Sequence, residues 1–208
     1  MVFSPDLGIA EVASEIRNVV ADAVARLASA LDWEVTVGAP DLAPLGELRE
    51  TFQTTVAMDT DRTALRHLAD RFEVSPDIRE LVDHEWTTTD FDRARVGRRR
   101  VHDAFRTAMG LMDLLITPTT ATTAFPLGLR FPADGASGIR DGRQWSPFAF
   151  LANLTGQPAV SIPAGLAASG LPVGLQAIGR RFDDMLLLDV AAAAEEIIGT
   201  QVPWEDES

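Results

Sequence analysis

The 208 residues are enough for one domain with its own apolar core, and contents of 46% hydrophobic and 24% charged residues are ordinary for a globular protein. With 18 basic and 31 acidic residues the net charge is -13, which argues against nucleic-acid binding because phosphates would meet repulsion over most of the surface. All 18 basic residues are arginine, and the absence of lysine, tyrosine and cysteine excludes any chemistry here that needs an amine side chain, a phenol or a thiolate.

The sequence gives no sign of membrane insertion or export. No apolar run is long enough to span a bilayer, and residues 1–6 lack the basic start and apolar stretch of a signal peptide. We therefore expect a cytoplasmic protein that makes no membrane contact.

The first elements predict a strand–helix–strand unit. Residues 2–5 are a short apolar stretch that ends in a turn, and residues 12–31 carry apolar side chains at helical spacing. Residues 33–37 alternate and end at Gly38-Ala39-Pro40, which predicts a second strand parallel to the first.

The middle of the sequence is predicted to be helical. Helical spacing runs from residue 41 to about 71, and Ser75-Pro76 then predicts the capped start of a new helix. Another helix is predicted from Thr89-Asp90 to about residue 111. Residues 113–117 follow as a buried strand that Pro118 ends.

The last third predicts a long loop and then the remaining elements. Residues 118–146 are rich in proline and glycine, and a loop of that length is more often functional than accidental. We expect a short helix over 147–154 ended by Gly156, strands over 159–163 and 173–178, and a helix over 183–198. Without a repeat or linker, residues 1–208 are predicted to form a single α/β domain.

Familiar catalytic and metal motifs are absent from the sequence. His84-Glu85 begins like a zincin motif, but Thr88 stands where the second histidine belongs, so no metal site is predicted. Neither a Gly-x-Ser-x-Gly elbow nor a glycine-rich phosphate loop occurs, and no cofactor is predicted. One basic cluster is either a solvated helix face balanced by nearby aspartates or an anion site; it contains Arg93, Arg95, Arg98, Arg99 and Arg100.

Three segments in the second half of the sequence occur in a recognisable order. They are Asp113-Leu-Leu-Ile-Thr-Pro-Thr-Thr120, Asn153-Leu-Thr-Gly-Gln-Pro-Ala-Val-Ser-Ile-Pro-Ala-Gly165 and Gly170-Leu-Pro-Val-Gly-Leu-Gln-Ala-Ile-Gly179. With the helix predicted after them, they resemble the C-terminal part of the amidase signature family. Phe3-Ser-Pro-Asp-Leu-Gly8 and its following helix and strand are similar to that family's mid-chain segment, so the resemblance covers nearly the whole sequence. It implies a mixed β-sheet with helices on its faces, about half of the family sheet.

The resemblance implies a chemistry whose reacting groups are not in this sequence. Family members cleave amides with a serine nucleophile, a second serine in a cis peptide and a lysine base, all of which lie N-terminal to the matched portion. These 208 residues hold no lysine and no Ser-Ser pair, so no catalytic residue is assigned. We expect the isolated chain to be inactive and to supply scaffold and part of a substrate pocket to an N-terminal half.

The resemblance also suggests which residues line that pocket. The candidates lie on the loop after the Thr-Pro strand and on the short helix before Asn153; they are Thr117, Thr119, Trp145, Phe148 and Phe150. The three aromatic rings would favour an apolar or aromatic acyl group. The alternative is that Phe148 and Phe150 only pack the core. Four further motif residues are expected to have structural roles; they are Asn153, Thr155, Gly156 and Gln176.

A second class of function stays open on the sequence alone. The chain could be a non-catalytic remnant of amidase-like fold that binds a small ligand or a protein. In either case half of a family sheet leaves apolar surface uncovered, so we expect self-association or pairing with a catalytic half. The sequence names neither the amide nor the partner.

Overall fold

A mixed five-stranded sheet lies at the centre of the protein, in a computed structural model that describes residues 1–39, 48–110, 112–133, 139–140 and 144–199. Its strands are β1 (Val2–Phe3), β2 (Thr36–Val37), β3 (Leu114–Pro118), β4 (Ala159–Leu166) and β5 (Pro172–Gly179), in the spatial order β2-β1-β3-β5-β4. β1 is parallel to β2 and β3, whereas β5 is antiparallel to β3 and β4. The predicted α/β class with a mixed sheet is confirmed.

The predicted strand–helix–strand unit is present, with shorter strands than expected. Helix α1 (Ser14–Leu31) connects β1 to the parallel strand β2. After Phe3 the Ser4 amide still donates to the Ile116 carbonyl of β3, and the chain then turns, with the Ser4 hydroxyl accepting from the Leu7 amide. Asp32, in the left-handed region at φ 53°, ends α1.

Within the described residues four helices follow, where the sequence predicted three. The helical run predicted for 41–71 divides into α2 (Leu48–Asp59) and α3 (Arg62–Ala69), and residues 40–47 lie outside the described part. The division has a local cause, because the Asp61 carboxylate accepts from the amides of Thr63 and Ala64 and so starts a new helix. Helix α4 (Pro76–Asp83) begins at the predicted Ser75 cap.

Helix α5 (Thr88–Met109) begins one residue before the predicted start. Thr87 and Asp90 form a reciprocal cap, in which the Thr87 hydroxyl accepts from the Asp90 amide and the Thr87 amide donates to the Asp90 carboxylate. Hydrogen bonds from Thr87 lower the pKa of Asp90 below its ordinary value. The predicted helix is therefore present, and the residue that caps it is Thr87.

The final elements agree with the predicted order. No α-helix or β-strand occurs among the described residues between β3 and α6 (Ala149–Thr155), and Gly156 ends α6 in the left-handed region at φ 72°. β4 and β5 form an antiparallel hairpin, and α7 (Asp184–Ile198) closes the described chain. No described helix has the length and apolar character needed to cross a bilayer.

The helices form two groups around the sheet. α1 and α7 pack against β4 and β5, where alternate residues such as Ile162 and Ala164 are buried. α2, α4, α5 and α6 pack mainly on one another. This second group, together with the loop after β3, encloses the space described next.

Candidate functional site

A cavity of about 650 Å³ lies among α2, α4, the start of α5 and the loop that leads into α6. Its apolar lining comes from three helices, α2, α4 and α6, and from the loops that precede α5 and α6; it includes Phe52, Val56, Ile78, Trp86, Trp145 and Phe150. Helical spacing places Phe52 and Val56 on one side of α2, while Phe150 projects from the first turn of α6. A concave apolar site of this size is suited to a small organic ligand.

Aromatic contacts hold the walls of this cavity together. The rings of Phe52 and Phe150 lie with centroids 4.9 Å apart, which joins α2 to α6. Trp86 stacks on Phe91 at 6.1 Å and also contacts His84 at 4.3 Å. The walls are therefore formed by side chains that fix one another, so the cavity is largely preformed.

Charged groups at the rim of the cavity are paired. The Arg130 guanidinium donates through Nη2 to Glu80 Oε2 at 2.6 Å and through Nε to Asp77 Oδ1 at 3.1 Å, which ties the loop to α4. These two carboxylates raise the pKa of Arg130 above its ordinary value. The same guanidinium lies 5.0 Å from the centroid of the Phe131 ring. An interior with paired charges and aromatic walls favours a neutral apolar group.

The five predicted pocket residues separate into different environments. Trp145 and Phe150 line the cavity and are partly buried. Phe148 and Thr117 are 0% exposed and lie in the core, where the Thr117 hydroxyl donates to the carbonyl of Pro118. The two phenylalanines, considered together in the sequence, thus differ: one borders the cavity and the other does not.

Thr119 lies at a different place, beside the β4–β5 hairpin. Its Oγ1 is 2.7 Å from Oγ of Ser161, and its amide donates to the carbonyl of Gly174. A Cβ at Gly174 would lie 2.8 Å from Thr119 Oγ1 and 3.0 Å from Ser161 Oγ, so the close approach of these strands requires glycine.

The four motif residues expected to be structural are placed as follows. Asn153 and Thr155 donate to the carbonyls of Ala149 and Leu151, one turn earlier in α6. Gly156 supplies the left-handed end of that helix. Gln176 is 7% exposed on β5, and its Oε1 accepts no hydrogen bond from the described residues.

Several cavity residues were not found by sequence reasoning. Phe52 and Trp86 carry no motif: Phe52 belongs to the apolar spacing that predicted a helix, whereas Trp86 lies in the loop between α4 and α5. The Arg130 contacts could not be inferred, because Asp77 and Glu80 are 53 and 50 residues away in the chain.

The basic cluster of α5 is engaged mainly in pairs. Arg93 lies 3.5 Å from Asp90 and Arg95 lies 3.3 Å from Asp92, while Arg98 donates to the carbonyl of Leu154. These contacts favour the solvated helix face over an anion site. Across the described ranges, no three histidine, aspartate or glutamate side chains are grouped to hold a metal ion.

A search of protein families matches residues 11–188 to the family described as Amidase. Among curated proteins, an acylamidase of Rhodococcus erythropolis is 31% identical over 211 residues, a match that covers 99% of this chain and 43% of that protein. A fatty acid amide hydrolase of Medicago truncatula is 36% identical over 121 residues, covering 55% of this chain and 19% of that protein.

Solved structures give the same result for the fold. A bacterial aryl acylamidase of the amidase signature family has a TM-score of 0.77 at 22% identity, covering 98% of this chain and 44% of the enzyme. The crystal structure of another amidase has a TM-score of 0.77 at 26% identity, covering 95% and 46%. The chain spans less than half the length of these relatives.

Proposed function

The chain belongs to the amidase family, and from that premise we propose that residues 1–208 form a single domain that serves as the C-terminal portion of an amidase. Its part is to hold the substrate and to complete the scaffold, while another segment of the fold carries the reacting groups. The relation to the acylamidase along nearly the whole chain supports this proposal, as does the fact that it accounts for 43% of that protein.

The chemistry explains why a second segment is needed. Cleaving a carbon–nitrogen amide bond needs an oxygen nucleophile, a base that accepts its proton and donors that stabilise the oxyanion. In the family mechanism a serine oxygen attacks the carbonyl carbon, the C–N bond breaks, the amine leaves with a proton, and water hydrolyses the acyl-serine. These 208 residues hold neither the lysine base nor the Ser-Ser pair, so they perform none of these covalent steps.

The aromatic cavity is the observation that carries the proposed binding role. Trp145 and Phe150 were suggested as pocket residues by the family resemblance, and both line a cavity of about 650 Å³. The charges at its rim are paired, so a neutral acyl or aryl group of the amide would bind with its apolar surface removed from water. Phe148 and Thr117, which lie in the core, are proposed to support this wall rather than to touch substrate.

The experiment is a complementation assay with a chromogenic anilide. Residues 1–208 are purified alone, and also co-expressed with the portion of the Rhodococcus erythropolis acylamidase that this chain does not match; both samples are given an acyl p-nitroanilide. We expect turnover only from the co-expressed pair, with the chain alone lower by about 10⁶-fold, because loss of a nucleophile and its base costs about that much in comparable hydrolases.

Controls separate binding from chemistry. Phe150→Ala in the active pair should raise KM with little change in kcat, because it removes apolar contact with bound substrate. The acylamidase portion alone measures background. Turnover by 1–208 alone would overturn the proposal, and a stable pair that cleaves no amide would favour a non-catalytic binding module.

A further inference from the structure

One polar side chain in the wall of the aromatic cavity is almost fully buried. Thr54 of α2 lines the cavity and is 5% exposed, whereas the polar lining residues Gln53 and His84 are exposed. Ligand pockets are mostly apolar, and a small number of placed polar groups fix the orientation of the ligand. Thr54 has the chemistry and the position of such a group.

The Thr54 hydroxyl makes no hydrogen bond with any described residue. A threonine inside a helix can donate to the carbonyl four residues earlier, as the neighbouring Thr55 does to Thr51 at 2.7 Å. Other buried hydroxyls in the described part are bonded; they belong to Ser4, Thr55, Thr117 and Thr155. Thr54 therefore keeps one donor and its acceptor lone pairs for another molecule.

The Thr54 oxygen borders open space. The side-chain oxygens that are both fully enclosed and unpaired in the described part are Gln157 Oε1 and Gln176 Oε1, and Thr54 Oγ1 is not among them. Because only 5% of Thr54 is exposed, the space that its oxygen reaches is the cavity that the residue lines. A ligand inside the cavity can thus meet this hydroxyl.

The charges around the cavity restrict what that ligand carries. Four carboxylates line it against two guanidinium groups, and the acids are Glu50, Asp77, Glu80 and Asp90. Arg130 holds Asp77 and Glu80, and the Thr87 amide and hydroxyl both donate to Asp90. An anionic group would meet repulsion, and a cationic group would compete with contacts that these carboxylates already make. A neutral hydroxyl, which both donates and accepts, is the group that suits Thr54.

We propose that Thr54 is a specificity-determining residue, and that the cavity selects aryl-acyl amides whose ring carries a hydroxyl group hydrogen-bonded to Thr54 Oγ1. The aromatic side chains of Phe52, Trp86 and Phe150 would surround the ring. Thr54 would determine which ring substituent is accepted, because a site built to hydrogen-bond a hydroxyl discriminates against the analogue that lacks it. The inference rests on the proposed function and adds the class of acyl group.

The test measures binding to 1–208 alone, so its result does not depend on turnover. Isothermal titration calorimetry gives the Kd of p-hydroxyphenylacetamide and of p-methylphenylacetamide, which replaces the hydroxyl by a methyl group of similar size. We expect the hydroxylated amide to bind about tenfold more tightly, the change expected for one hydrogen bond gained.

Two variants of Thr54 separate its hydroxyl from its shape. Thr54→Val keeps the branched shape and removes the hydroxyl, so the two amides should bind within about twofold of each other. Thr54→Ser keeps the hydroxyl and should keep the preference. Thr55→Val is the matched control, because Thr55 is a buried threonine whose hydroxyl is bonded to Thr51, and it should also keep the preference.

Melting temperatures of the unliganded variants distinguish a ligand contact from a structural role. Thr54→Val removes a hydroxyl that bonds no described residue, so the melting temperature should stay level or rise. Thr55→Val breaks a hydrogen bond and should lower it. A Thr54→Val variant that loses stability and keeps the preference for the hydroxylated amide would overturn the proposal.

Other outcomes decide between this proposal and its alternatives. Equal binding of the two amides to the parent, or binding of neither, would overturn it, because solvent rather than a ligand would then satisfy Thr54. Tighter binding of p-(aminomethyl)phenylacetamide would assign the cavity to a cationic group and also overturn it. Selective binding by 1–208 without turnover by the co-expressed pair refutes only the proposed function, whereas turnover without a preference that depends on Thr54 refutes only this inference.

Discussion

The aromatic cavity and the β4 edge differ in whether their side chains and backbone groups have partners within the described residues. At the cavity, walls from α2, α4, α5 and the loop contact one another, and the Arg130 guanidinium is paired with two carboxylates. At β4, outward backbone groups and the Gln176 amide oxygen have no partner among the described residues. A ligand site can thus be nearly complete within one portion of a fold, while a sheet edge of the same portion keeps polar groups that no described residue satisfies.

The largest effect is expected at Phe148, which lies in the core, whereas Phe150, two residues later, lines the cavity. Phe148→Ala should lower the free energy of unfolding by about 3–5 kcal/mol, because it empties a fully buried site. Phe150→Ala should cost clearly less, since its ring already borders open space. The measurement is urea denaturation of both variants. Equal losses in the free energy of unfolding would contradict the assignment of the two rings to different environments.

A smaller effect is expected at Gly156, where the chain passes from the cavity helix α6 toward the β4 edge. Gly156→Ala places a side chain at φ 72°, and we expect a loss of about 1–2 kcal/mol. Gly38→Ala is the control, because no atom of the described residues lies within 4 Å of the added Cβ there, and it should change stability by less than about 0.5 kcal/mol. Equal melting temperatures for the two variants in thermal denaturation would contradict this account.

The smallest effect concerns Asp90, at the end of α5 that borders the cavity. Hydrogen bonds from Thr87 lower the pKa of Asp90, so its carboxylate stabilises the fold above the ordinary aspartate pKa of about 3.9. This contribution is lost as the pH falls through the lowered pKa. Asp90→Asn should therefore reduce the melting temperature at pH 7.

The pH profile provides the check on that interpretation. The difference in melting temperature between Asp90→Asn and the parent should begin to shrink below about pH 4, where the carboxylate of the unfolded chain takes up its proton. It should shrink further as the pH falls through the lowered pKa of Asp90 in the folded protein. Asp189→Asn, at an exposed position on α7, is the control. A difference for Asp90→Asn that stays constant into acid would show that the cap does not depend on its charge.

Sequence reasoning succeeded where the signal is local. Ser75 beside Pro76 marked the start of α4, and periodicity indicated α1, α5 and α7 within a few residues. It could not divide the run over 41–71, because apolar spacing continues across a break that depends on the Asp61 side chain. The order of the strands likewise follows from long-range pairing, which periodicity does not encode.

The candidate site was predicted only in part, and the reason is geometric. The resemblance suggested Trp145 and Phe150. Phe148 and Phe150 are only two residues apart, however, and the sequence does not show that the first lies in the core and the second lines the cavity. The Arg130 bridge joins elements 50 residues or more apart. Gln176 was expected to have a structural role, and its unpaired oxygen becomes visible only when its neighbours on the sheet are known.

The position of β1 has a consequence for how the chain acquires its fold. β1 lies inside the sheet, and its Val2 pairs with Leu115 of β3, whereas β4 and β5 are joined by a tight turn. β1 can pair with β2 without β3, but its pairing with β3 joins strands that are far apart in the sequence, whereas the hairpin joins strands that follow one another. We expect the hairpin to form early in refolding and the β1–β3 pairing to be the slower step.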